Sequence, residues 1–100
     1  MISLNDVNNI EGDAPSPVEY FKSIQRAINS GSAWSLQGSY GRSMMEAIKD
    51  GRCMLGLKDC RDYYGSHIPS RTQVEGGTKG SRAFVVANYG EDWAQLMEQV

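Results

Sequence analysis

Residues 16–31 read SPVEYFKSIQRAINSG. Ser16 has the side chain of a helix N-cap, because its hydroxyl can accept from a backbone N–H that no helical carbonyl reaches. Pro17 suits the first helical position, where its missing N–H is not needed. Glu19, three residues after Ser16, completes the pattern of a capping box. Tyr20, Ile24, Ala27 and Ile28 then share one face, with Phe21 beside them. Asn29-Ser30-Gly31 is a stop, since Gly31 takes a positive φ at little cost. An apolar stripe at helical spacing, framed by a start and a stop, predicts a helix over 17–29.

The same reading works outward on both sides. Downstream, Trp34 and Leu36 lie in a loop of small residues over 32–38. A second helix is expected over 39–50, where Tyr40, Met44, Ala47 and Ile48 share a face and Gly51 ends the run. Gly41 weakens it by up to about 1 kcal/mol relative to alanine. A third helix is expected over 81–88, capped by Ser81 and closed by Gly90. A last one follows over 91–99, with Trp93, Leu96, Met97 and Val100 at helical spacing. Glu91 and Asp92 suit its positive end. Upstream, residues 1–14 form a lead-in. Leu4, Val7 and Ile10 fit a helical turn or two, and Ser3 with Asp6 fits a cap. A loosely docked arm is the alternative there. Tyr20, Phe21, Trp34 and Trp93 are expected to supply much of the core.

The middle of the chain is less regular. RCMLGL at 52–57 is a brief strand or an extended buried segment, and its length does not decide. Residues 58–80 carry Gly65, Pro69, Gly76, Gly77 and Gly80 and read mostly as loop, shortened by a turn of helix at 59–64. The expected fold is mainly α: a small single domain of about four short helices over 15–100, with a long central loop. A minor two-stranded β ribbon involving 52–57 stays open.

One hundred residues suggest one domain. No apolar run approaches the ~18 residues of a membrane span. The opening MISLNDVNNIEGD is acidic and lacks a basic region followed by an apolar stretch, so it is not read as a signal peptide. A cytoplasmic location is expected, with Cys53 and Cys60 reduced. The net charge of −2 argues against a general nucleic-acid coat. The charge is unevenly spread, however. From Arg42 to Arg82, eight cations stand against five anions, leaving that stretch at +3.

Several patterns in that stretch suggest chemistry. Cys53, Cys60 and His67 are spaced seven apart, with Asp59 or Asp62 available as a fourth zinc ligand. No close C-x2-C pair is present, so ordinary buried thiols are the simpler reading, and no metal or other cofactor is expected. Cys60 and His67 also form a candidate nucleophile–base dyad for a small enzyme. Gly76 to Ser81 reads GGTKGS before a helix, a geometry that can hold phosphate, with Lys79 and Arg82 adding charge. Its order is not that of a phosphate-binding G-x4-G-K-[ST] loop. Gly38-Ser39-Tyr40-Gly41 has the spacing of a backbone clamp, yet a tight turn starting the second helix explains it more simply. Met44, Met45, Met54 and Met97 are read as core rather than as an adaptable groove.

The segment from Arg61 to Arg71 combines tyrosine, arginine, glycine and proline, the side chains that dominate binding hot spots. Candidate binding residues are Arg61, Tyr63, Tyr64, His67, Arg71, Lys79 and Arg82. The leading expectation is a non-enzymatic protein-binding module, such as a phage or mobile-element accessory protein that binds a host protein. A nucleic-acid binder using the basic 42–82 region is the runner-up, and the Cys/His enzyme comes third. No membrane role is expected.

Overall fold

The computed structural model describes residues 2–36 and 38–100. Ser3 caps helix α1 (Leu4–Asn8), and its capping box with Asp6 closes in both directions. A π-type turn over Asn9–Asp13 continues it. Ser16 caps helix α2 (Pro17–Ser30) by accepting from the Glu19 N–H at 3.2 Å. Glu19 pairs with Lys22 at 3.5 Å, and Gly31 ends the helix at φ 72°. A 3₁₀ turn over Ser32–Ser35 leads to helix α3 (Gly38–Asp50). Strands β1 (Cys60–Arg61) and β2 (His67–Ile68) form an antiparallel ribbon, pairing Cys60 with Ile68 and Arg61 with His67. Helices α4 (Arg82–Tyr89) and α5 (Glu91–Glu98) complete the chain. The fold is mainly helical with one small two-stranded sheet, as the patterning implied.

Two expectations about the middle are corrected. The ribbon lies inside 58–80 rather than at 52–57, and residues 59–64 form its first strand and turn, not a helical turn. The physical reason is where the backbone of 52–57 finds its partners. The Gln25 amide brackets Met54, donating to its carbonyl and accepting from its N–H, both at 2.9 Å. The Leu55 N–H donates to the Gly80 carbonyl at 3.0 Å, and the Leu55 carbonyl accepts from Arg71 Nε at 2.7 Å. Trp93 Nε1 donates to the Arg52 carbonyl at 2.7 Å. Buried backbone must be paired, and side chains pair it here instead of a strand.

The core centres on aliphatic and methionine side chains. Ile24 and Ile28 of α2, Met44 of α3, Met54, Val85 of α4 and Met97 of α5 are all fully buried. Trp34 joins them, whereas Tyr20, Phe21 and Trp93 pack only partly against the cluster. The lead-in is fastened by polar side chains. Ser23 donates to Asp6 at 2.9 Å and accepts from Asn9 at 3.0 Å, with all three buried. Among the described residues no helix is long and apolar enough to cross a membrane.

Candidate functional site

The hairpin tip from Asp62 to Ser66 carries the two most solvent-facing aromatics. Asp62 shapes the turn: its Oδ1 accepts the Tyr64 N–H at 2.9 Å and the Ser66 N–H at 2.8 Å. The Gly65 N–H donates to the Asp62 carbonyl, and Arg61 Nη1 donates to the Gly65 carbonyl at 2.9 Å. A turn tied at so many points holds Tyr63 and Tyr64 out, 62% and 80% exposed. Their rings meet edge to face, with centroids 5.2 Å apart.

Beside the tip lies a cavity of about 190 Å³ lined by Trp34, Leu36, Gly38, Gly41, Arg42, Met45, Asp62, Tyr63 and Tyr64. Gly38, Gly41, Arg42 and Met45 stand at i, i+3, i+4 and i+7 on α3, so they form one stripe of that helix. The two glycines leave the stripe open. A Cβ on Gly38 would lie 3.3 Å from Arg42 Nη1 and 4.0 Å from the Tyr64 hydroxyl. The guanidinium and the phenol thus flank the same gap. The buried face of α3, with Met44, Ala47 and Ile48, is a different stripe. Met45, expected in the core, is only half-buried and lines this groove, because it lies one residue beyond the buried stripe, and reading for the core face alone also passes over Arg42. The signal that could have found them is the i, i+3, i+4, i+7 spacing of Gly38, Gly41, Arg42 and Met45.

The other sequence-predicted residues are dispersed. Arg61 is occupied within the turn. His67 Nε2 lies 2.9 Å from Asp59 Oδ2, and that contact, first of several causes, lowers the Asp59 carboxyl below its ordinary range. Arg71 is half-buried and bonded to the Leu55 carbonyl and to Asn29. Arg82 of α4 is clamped by Glu91 and by Glu98 of α5. Lys79 is exposed on the loop before α4. That loop satisfies itself: Ser81 Oγ accepts from the N–H groups of Gly77 and Phe84, and the Thr78 N–H donates to the Glu75 carbonyl. An incoming phosphate finds these donors engaged.

The ribbon register separates Cys60 from His67. Cys60 pairs with Ile68, and Arg61 pairs with His67. Neighbouring strand residues face opposite ways, so the thiol and the imidazole lie on opposite faces. Burial, then Asp59 and Asp62, raises the Cys60 thiol, and burial pushes Cys53 far higher. At Cys53 burial outweighs the nearby Arg52, and at Cys60 the neighbouring charges are acidic, so neither sulfur is set up as an activated thiolate. Among the described residues no three His, Cys, Asp or Glu side chains gather as metal ligands.

No family model, curated protein or solved structure matches the chain. The site is therefore defined by its own residues.

Proposed function

We propose that this protein is a non-enzymatic protein-binding module that engages its partner through the hairpin tip and the adjoining groove. The observation that carries this reading is the pair Tyr63 and Tyr64, held outward by an internally bonded turn beside an apolar cavity. Rigid aromatic side chains offer large contact area with little conformational entropy to lose. The cavity is smaller than the ~300–1,000 Å³ of small-molecule pockets, which favours an inserted side chain over a free ligand.

The nucleic-acid reading has less support. It needs a track of available cations. Arg52 is stacked against Phe21 and Tyr89, with guanidinium-to-ring distances of 4.8 and 4.3 Å, Arg71 donates to the Leu55 carbonyl, and Arg82 is neutralised at the surface by Glu91 and Glu98. The edge-to-face tyrosines also present no pair of parallel platforms for stacked bases. A narrower reading, a cytoplasmic accessory protein of the kind phages or mobile elements direct at a host protein, draws on the compact helical frame that presents the hairpin tip.

The test is a tagged pull-down from the source cells, split into nuclease-treated and untreated halves, with a Tyr63→Ala/Tyr64→Ala variant alongside. A protein partner that survives nuclease and is lost with the variant supports the proposal. Recovery of nucleic acid, or capture that ignores the variant, overturns it.

A further inference from the structure

We infer that the groove recognises a short peptide segment in which a large apolar side chain sits next to a carboxylate. This rests on the protein-binding reading and specifies the partner's chemistry. The apolar half of the requirement comes from the walls. Trp34 and Met45 line the cavity, and Leu36, 43% exposed, stands at its edge. About 190 Å³ accommodates one side chain of leucine to aromatic size.

The anionic half comes from Arg42. Six cationic residues are already engaged. Lys22 pairs with Glu19, Arg26 with Asp6, Arg52 with Asp50, and Arg82 with Glu91 and Glu98. Arg61 and Arg71 donate to backbone carbonyls. Arg42 has no ion-pair or hydrogen-bond partner among the described residues, and it lines the apolar cavity. Glu46, one helical turn along, is placed for an i, i+4 pair, yet no such pair forms. The guanidinium instead lies over Gly38, on the side of the Tyr64 hydroxyl. Asp62 shares the cavity without pairing to Arg42, and its Oδ1 already holds two turn N–H groups. A planar guanidinium at the edge of an apolar cavity is complementary to a carboxylate, which it can hold through two parallel hydrogen bonds. The Tyr64 hydroxyl supplies a further donor on the same side.

The experiment selects peptides from a display library of random dodecapeptides on the intact protein. The enriched sequences are then synthesised for titration. The expected result is enrichment of Leu, Phe or Trp within two positions of Asp or Glu. Arg42→Gln and the acid-to-amide peptide should each weaken binding about tenfold or more. The double change should cost little beyond either single one. Arg42→Glu should redirect selection towards Lys or Arg. Peptides that bind through Tyr63 and Tyr64 with no acidic bias, and equally to Arg42→Gln, overturn this inference and leave the protein-binding reading standing. No enriched peptide, or peptides indifferent to the Tyr63→Ala/Tyr64→Ala variant, overturns both. A labelled twelve-nucleotide oligo(dT) serves as the last arm. Tighter binding of it than of any selected peptide, lost with the tyrosines and falling steeply with salt, replaces the peptide with nucleic acid.

Discussion

Asp62 decides where the two tyrosines stand. Alanine there leaves the Tyr64 and Ser66 N–H groups without their acceptor. At an exposed turn that loss is about 1 kcal/mol, so Asp62→Ala should weaken partner binding a few-fold, with the helical circular dichroism unchanged. Unchanged binding would detach the turn from the site. Tyr64→Ala should cost more, at least about 30-fold, the scale of a hot-spot aromatic. The Cys60 thiol is raised by burial and by Asp59 and Asp62, so the folded state favours the protonated form. The stability linked to it is intact at neutral pH and declines as pH climbs from the ordinary thiol value through the raised one. Iodoacetamide at pH 8 should therefore label Cys60 more slowly in native protein than in urea. Fast native labelling that disappears in His67→Ala would revive the Cys/His enzyme. Tyr63 and Tyr64 stand out in the sequence by their company of arginine, glycine and proline, but the hairpin turn that holds them does not, since 59–64 reads as a turn of helix. Arg71 reads the same way and is misleading: its guanidinium serves a carbonyl 16 residues upstream, and no local pattern announces that.

At the scale of elements, the helices follow their caps and stripes, while the irregular middle depends on distant side chains. Ser16, Pro17, Gly31, Ser81 and Gly90 mark starts and stops by local chemistry, so their positions can be read directly. The state of 52–57 cannot, because Gln25, Gly80, Arg71 and Trp93 supply its partners from four separate places. Gln25 reads as one more polar residue of an amphipathic helix. In the fold it is fully buried and acts as a strand's edge would. Gln25→Leu should orphan the Met54 N–H and carbonyl at about 1–3 kcal/mol each, a loss measurable as a lower urea midpoint. A midpoint within error of wild type would mean that those groups have other partners. Gly80 is constrained for a different reason. It holds φ 95°, and a Cβ there would lie 2.5 Å from the Leu55 side chain. Gly80→Ala should lower stability by about 1–3 kcal/mol, through strain and displacement of Leu55 together.

The whole molecule is a flattened body of 33 × 31 × 18 Å. Such a thin shape leaves little depth for a core, so connections at the margins matter. The Arg52 guanidinium is one of them, lying among the rings of Phe21, Tyr89 and Trp93 and joining α2 to the α4–α5 pair. Its Nε is 3.4 Å from Asp50 but lacks hydrogen-bond alignment, so ring stacking rather than a directed bond defines the contact. The groove belongs to a different cluster, formed by the 3₁₀ turn, α3 and the hairpin. The two tryptophans are divided between these clusters. Trp34 is 3% exposed and lines the groove, while Trp93 packs on Phe21 and Tyr89. A chain of this size with one shared core should unfold as a unit, so Trp34→Phe and Trp93→Phe variants should show urea transitions with a common m-value. Binding should separate what unfolding does not. A peptide seated against Trp34 alters the surroundings of that indole and leaves Trp93 as it was. Trp93→Phe should therefore keep the fluorescence change on ligand addition, and Trp34→Phe should lose it while calorimetry still detects binding. A signal that instead follows Trp93 would move the binding face to the Phe21–Arg52–Tyr89 side of the molecule.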